Sequence, residues 1–414
     1  MTKLAYFLFF SVLFFSCSKK DDPVPPPPPV ITAPVISSFS PGSGLAGDLI
    51  HIKGSNFSNK ASDNHVEING VVAEVKVAAL DSLVVMVPGG ASTGKITVTK
   101  SEKTATSLDD FVILNGPWIQ RANIGSGGTP QAGFSIGSKL YVLFSTVPNG
   151  ASIKMSQDLW AYDTVTNSWS KKADPPALFR EFPSAFAIGN RGYFGLGYDE
   201  FTGQDANDFW EYNPDADQWN RKADFPGIAR QSAASFSIGS KGYIGIGVST
   251  FARTVTATFQ DFWSYDPSTD IWTAISDFPG SARANASACA NSTGGYLAFG
   301  EMDSNDLTSE FWHYNPSNNT WDSLPHFPGT GRMRANLLTI DNKIYAGFGS
   351  DNSILHNDWW EFDPATSTWS QKENALPSSR TAAIGFTIGH RGYLAGGISD
   401  EVEYLKKDLW IFTP

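Results

Sequence analysis

Asp208-Phe209-Trp210-Glu211-Tyr212-Asn213-Pro214-Asp215-Ala216-Asp217-Gln218-Trp219 decides the fold. Phe209 to Tyr212 is a run rich in aromatic residues, an Asn-Pro pair breaks it, and a second strand begins before Trp219. That is a two-stranded unit joined by a tight turn. The unit recurs. Trp160, Trp210, Trp263, Trp312, Trp360 and Trp410 follow one another at intervals of 48 to 53 residues. Five of them have a second Trp nine residues on: Trp169, Trp219, Trp272, Trp321 and Trp369. A period near 50 residues with this composition marks the blades of a β-propeller.

The ends of the repeat carry the closure. Trp410 has no partner before Pro414, and Trp118 has none upstream. Trp118-Ile119-Gln120-Arg121-Ala122 reads like Trp219-Asn220-Arg221-Lys222-Ala223. Trp118 therefore supplies the outer strand of the last blade, which joins both ends of the ring and leaves no open edge. The count is six blades. Within a blade, Ala233 to Ile238 reads as strand a and Tyr243 to Gly247 as strand b. A long loop, Val248 to Gln260, precedes strand c around Trp263, and strand d lies around Trp272. Ser350 to Asn357 is a second long loop of this kind.

These residues resemble the kelch family over 118–414. Kelch blades usually end strand b with a Gly pair. Here only Gly396-Gly397 keeps both; Gly197, Gly247, Gly300 and Gly349 stand alone, and the first blade has Ser145.

Upstream the texture changes. Short alternating runs such as Leu49-Ile50-His51-Ile52 and Ile96-Thr97-Val98 lie between Gly, Pro and Asn clusters, which predicts a small antiparallel β-sandwich over 34–114. Ile36 to Gly44, Ile52-Lys53-Gly54-Ser55-Asn56-Phe57 and Val85-Met86-Val87-Pro88 with Gly94 to Val98 resemble an IPT/TIG domain, an immunoglobulin-like fold. The whole chain is thus expected to be all-β.

Residues 1–16 read as a signal peptide. Lys3 precedes about a dozen apolar residues, Leu4 to Phe15, too few to span a bilayer as a helix. Leu13-Phe14-Phe15-Ser16-Cys17 resembles a bacterial lipobox, which implies lipidation at Cys17. Residues 17–33 form a linker. Ser18-Lys19-Lys20-Asp21-Asp22 resembles the signal that sends some lipoproteins to the outer leaflet, and Pro23 to Pro29 favours extended polyproline II. The expected location is the outer membrane, lipid-anchored and facing outward.

The net charge of −11 weighs against nucleic-acid and anionic-lipid partners. With Cys17 lipidated, Cys289 is left unpaired; it holds a position filled elsewhere by Phe134, Phe186, Phe236, Leu338 and Phe386, and reads as a small core hydrophobe. The six His residues show no ligand spacing, so neither metal nor cofactor is expected.

Two columns of charge run through the blades. An acid stands two residues before each strand-c Trp: Asp158, Asp208, Asp261, Glu310, Asp358 and Asp408. These read as structural groups at the start of strand c. Arg180, Arg230, Arg283, Arg332 and Arg380 each precede the strand-b Tyr by thirteen residues, with Gly128 in the first blade. They read either as structural pairs between blades or as a ligand-binding ring at one channel mouth; the second reading predicts an acidic glycan or protein ligand there. A surface binding module is the function expected first. Some six-bladed kelch proteins isomerise sugars, notably sialic acid anomers, and that resemblance implies a mutarotase as the alternative. The candidates for its acid or base are Glu181 and Glu301.

Overall fold

A computed structural model describes residues 32–414 apart from 115, 125–128, 150–151, 177–178, 374–375, 377 and 401–404. The expectations placed on Cys17, on the charged and Pro-rich linker before residue 32 and on Gly128 lie outside the described residues.

The N-terminal region is a sandwich. Val35–Ser40, Leu49–Ser55, Ser82–Met86 and Val71–Ala78 are hydrogen-bonded in that order. Val71–Ala78 continues into His65–Ile68, Gly94–Lys100 and Lys103–Ile113 after a register shift between Val75 and Val77. The period-2 alternation places Ile50, Ile52, Val66, Ile68, Leu83, Val85, Ile96 and Val98 in one fully buried core around Phe57 and Phe111.

Six four-stranded sheets follow. Blade 1 begins with strand Pro130–Ile136, blade 2 with Ser184–Ile188, blade 3 with Ala234–Ile238, blade 4 with Ser287–Ala290, blade 5 with Asn336–Ile340 and blade 6 with Ile384–Ile388. These inner strands contact one another in sequence, and the last contacts the first, so the ring is closed. In blade 6, Leu409–Phe412 pairs with Trp118–Arg121, Trp410 opposite Gln120 and Phe412 opposite Trp118. The closure is the one expected from the unpaired Trp residues.

Blades are keyed to one another by size. A Cβ on Gly192, Gly242 or Gly295 of strand b would run into the ring of Phe134, Phe186 or Phe236 from the preceding blade. Between blades 4 and 5 the sizes are exchanged: Cys289 takes the aromatic position and Ile344 the glycine position, in one shared core. That is why a thiol stands where a Phe is the rule, and it agrees with the reading of Cys289 as core. The outer Trp residues add polar pins. Trp169, Trp219, Trp272, Trp321 and Trp369 donate Nε1–H to a carbonyl of the preceding blade at 2.7–3.2 Å.

One expected loop has structure of its own. Val248–Phe251 and Thr254–Thr258 form a hairpin turning at Ala252-Arg253, both with positive φ (48° and 63°). Thr- and Val-rich strands around a turn of primed type explain it. The hairpin joins Gln204–Asp205, Tyr198–Asp199 and Arg180–Glu181 in one small sheet, built largely from the loops of blades 2 and 3.

Candidate functional site at the channel mouth

The arginine column is spent inside the blades. Arg230 Nη1 and Nη2 fork onto Asp261 Oδ1 and Oδ2 at 2.6 and 2.9 Å, and Asp261 Oδ2 also accepts from Trp263 Nε1 at 2.8 Å. Nη1 reaches the Ile246 carbonyl at 3.1 Å, Nε the Ile228 carbonyl at 2.9 Å, and the guanidinium lies 5.0 Å from the Phe225 ring centre. Arg180 is paired with Asp208, Arg283 with Glu310, Arg332 with Asp358 and Arg380 with Asp408. All five arginines are buried, none more than 7% exposed. The ligand-ring expectation for Arg180, Arg230, Arg283, Arg332 and Arg380 is therefore corrected. The pairing is structural, and it runs within each blade rather than between blades. The acid column is its other half, at the place and in the role expected of it.

The same arginines reach the position where the Gly pair is degraded. Leu196, Ile246, Phe299 and Phe348 stand at the first Gly position with φ of 52–68°, a region costly for side-chain-bearing residues. Their side chains are fully buried, and each carbonyl accepts from the blade's Arg Nη1. The second Gly is obligatory: a Cβ on Gly247 would meet the Gln231 carbonyl at 2.7 Å.

Two residues beyond each buried Arg, the chain forms the rim of the channel. Phe182, Ser232, Asn285, Arg334 and Ala382 all have φ of 51–55°. That conformation turns each N–H to the carbonyl of the blade before. Ser232 N donates to Phe182 O at 3.0 Å, Asn285 N to Ser232 O at 3.3 Å, Arg334 N to Asn285 O at 3.0 Å and Ala382 N to Arg334 O at 3.1 Å. Pro130 has the corresponding place in blade 1, where its ring forbids positive φ. There the side chain of Gln131 substitutes, accepting from Phe182 N at 3.0 Å. Strained backbone repeated in five blades is a feature to be explained by the site it frames.

That site is a cavity of about 380 Å³ inside the rim, lined among others by Gln131, Glu181, Phe182, Asn285, Arg334 and Asn336. Arg334 is half-buried. Its Nε donates to Asn285 Oδ1 at 3.3 Å, and its guanidinium lies 4.4 Å from the centre of the Phe182 ring. Glu181 lines the same cavity, and burial followed by its hydrogen bond to Glu200 pushes its carboxyl above the usual range. Glu301 sits on the short strand Glu301–Met302, outside the cavity lining. Of the two sequence candidates, Glu181 is at the mouth and Glu301 is not. Arg334 escaped the sequence reading because it belongs to no column. Its signal was that very singularity, a charge at a repeat position held elsewhere by Phe182, Ser232, Asn285 and Ala382.

Comparison with known proteins agrees with this architecture. Residues 34–113 match the IPT/TIG domain and residues 331–374, in blade 5, match the Kelch motif. A solved structure described as "Structure of YjhT" is similar at 16% sequence identity with a TM-score of 0.58, over 70% of this chain and 95% of that one. No curated protein matches. Residues 118–414 thus form a six-bladed β-propeller that carries a Kelch motif in blade 5. The N-terminal sandwich is a TIG domain.

Proposed function

We propose that the protein is a binding module that takes an acidic group, borne by a glycan or a protein, into the mouth of the propeller channel. The observation that carries this is Arg334, a cation at the rim of a 380 Å³ cavity in an otherwise acidic protein. A guanidinium flanked by Asn285 and an aromatic face suits a carboxylate or sulfate. The long loops of blades 2 and 3 stand on this face and supply variable surface for specificity. The anchoring half of the proposal rests on sequence: lipidation at Cys17 with display on the outer membrane. Acidic and neutral glycans tested against the full chain distinguish the readings. Binding confined to acidic glycans and lost in Arg334→Gln is expected; retention in Arg334→Gln overturns the mouth assignment. For the anchor, Cys17→Ser is expected to leave the membrane fraction.

Glu181 favours a second reading. A carboxyl pushed above the usual range by burial and by Glu200, on the same cavity as a cation, is equipped for proton transfer. On that reading the protein interconverts the anomers of an acidic, sialic-acid-like sugar. Anomer exchange followed by NMR with wild type and Glu181→Gln tests it; equal rates in both refute it.

A further inference from the structure

The small sheet over blades 2 and 3 ends on an open edge. Its strands run in the order Arg180–Glu181, Tyr198–Asp199, Gln204–Asp205, Val248–Phe251 and Thr254–Thr258. Among the described residues, Thr254–Thr258 therefore has a strand neighbour on one side only. Thr254, Val255, Thr256 and Ala257 are all exposed, and the strand carries no charge and no proline. Folded proteins ordinarily blunt such an edge with a lysine, a proline or a cover, because its unpaired N–H and C=O groups are a template for another strand. The partial guard here is a bulge. Ser249 pairs with Ala257 and Thr250 with Val255, which leaves Thr256 as the extra residue, its Oγ1 donating to the Ser249 carbonyl at 3.1 Å. Before the bulge the edge is regular. In a hairpin with a two-residue turn the closing pair, Phe251 and Thr254, exchanges its hydrogen bonds, so the N–H and C=O of Val255 point away from the hairpin. Val255 and Phe251 are exposed apolar side chains at this edge, as is Phe201 on the adjacent turn, where Ala252 N donates to Gly203 O at 2.9 Å.

We infer that this edge takes an extended segment of a partner protein as an added strand, with an acidic residue at each end of that segment. The inference rests on the mouth reading above and deepens it, by assigning the acidic group to a protein rather than to a glycan. The edge calls for a polypeptide, since a peptide backbone offers donors and acceptors at strand spacing. The charges at its two ends call for acids. At the turn, Arg253 forms a salt bridge with Glu200, yet the arginine side chain is 67% exposed and the glutamate 11%, so the charge presented to solvent is positive. At the other end Thr258 pairs with Val248, which exchanges backbone hydrogen bonds of 2.9 and 3.0 Å with Gln231. Next to Gln231 stands Ser232 of the rim, bonded to Phe182, whose ring Arg334 faces. An added strand lies three strand spacings from Gln231, roughly 14 Å, so about five further extended residues bring its acid over the rim to Arg334. Between the two cations lie the uncharged strand and Phe251. A second copy of this chain fits the edge less well. In the antiparallel pairing of two identical strands the centre is Thr256, and the bulge falls in both strands at one point.

The test selects a displayed library of random dodecapeptides against the full chain. Enriched peptides are expected to carry β-branched or aromatic residues at alternating positions, flanked by Asp or Glu on both sides. Once bound, they are expected to slow hydrogen exchange at the Val255 amide. Val255→Pro removes that donor at a position an edge strand tolerates, and should weaken the enriched peptides about ten-fold. Phe251→Ala leaves the backbone untouched and should weaken them about three-fold. No enrichment, enrichment without this pattern, or peptides indifferent to both substitutions and to Val255 exchange overturns the inference; acidic-glycan binding lost in Arg334→Gln then still stands for the mouth reading. Enriched peptides that respond to Val255→Pro but not to Arg334→Gln keep the added strand and overturn the mouth reading, and with it the acid at that end. Self-association of the full chain that Val255→Pro abolishes, measured by sedimentation, gives the edge to a second copy and overturns the partner.

Discussion

Arg334 and Phe182 face one another across the channel, the guanidinium 4.4 Å from the ring centre, although they belong to blades 5 and 2, half a ring apart. Both have positive φ, at 52° and 51°, and both are tied into the hydrogen-bonded rim. The rim thus spends backbone strain to aim two side chains at each other over the opening. A cation held over an aromatic face is pre-oriented for an incoming anion.

Phe182→Leu keeps an apolar side chain but removes the ring face. Arg334 then loses its orientation, not its charge. Sulfate affinity is expected to fall about three-fold, within the ~0.5–1 kcal/mol of an exposed cation–π contact. Arg334→Gln should lose binding altogether. Equal affinity of Phe182→Leu and wild type by calorimetry contradicts a positioning role for the ring.

The buried arginines make the opposite prediction. Arg230→Ala leaves Asp261 without its fork and is expected to destabilise the fold by about 3 kcal/mol. The double variant with Asp261→Ala should lose much less than the sum of the singles, a coupling of about 2 kcal/mol in denaturant titrations. Burial pushes the Asp261 carboxyl up, but hydrogen bonds from Arg230 and Trp263 outweigh it and hold the group below the ordinary range. Its contribution is therefore present above pH ~4 and is lost as pH falls further. Additive losses in the cycle contradict the pairing.

The sequence made the ring legible because Trp118 and Trp410 each lacked a partner, and the repeat could close in one way. It also displayed both halves of the buried pairs, an acid column and an arginine column. What it did not display is that they meet, since Arg230 and Asp261 are separated by strands a and b and the long hairpin loop. Two columns of opposite charge in one repeat, with the first blade lacking the Arg, were the hint. The mouth was less legible for a different reason. Arg334, Phe182, Glu181 and Glu200 break the repeat, and only ring closure brings blade 5 opposite blade 2. Local pattern carries the blade; the site lies in departures from it.

Asp205 gives a stability prediction in the small sheet over blades 2 and 3. Burial pushes its carboxyl up to about 7, against the opposing hydrogen bond from Thr250 N–H, and its Oδ1 is buried without a partner. A carboxyl raised in the folded state stabilises fully below its unfolded pKa of ~4, and the effect fades as pH rises through 7. Asp205→Asn escapes this loss. Its melting temperature relative to wild type is expected to climb between pH 4 and pH 8, and a flat difference contradicts the assignment.

The last prediction concerns the union of the two domains. Asp48 of the TIG domain accepts from Arg121 Nη2 at 3.2 Å and from Arg391, while Arg391 also reaches the Ala46 carbonyl. Arg121 lies on the closing strand and Arg391 on strand b of the same blade, Arg391–Ala395. Leu45 inserts beside them into the core formed by Ile124, Leu140, Tyr393, Leu409 and Ile411. One carboxylate, only 9% exposed in its side chain, thus fastens the strand that closes the ring to the blade that receives it. Removing it strands two largely buried guanidinium groups, at a cost of about 3 kcal/mol. It also loosens the union of the domains, because what remains beside it is the Arg391 hydrogen bond to the Ala46 carbonyl and the Leu45 contact. Wild type is expected to unfold in one calorimetric transition. Asp48→Ala should show two, with the propeller melting several degrees lower, since a ring with a loosened closing strand exposes a sheet edge. Asp110→Ala, in the same domain and paired with the exposed Lys95, is the control and should leave the single transition unchanged. A single, unshifted transition in Asp48→Ala means that the Trp118–Arg121 ladder closes the ring without help from the TIG domain.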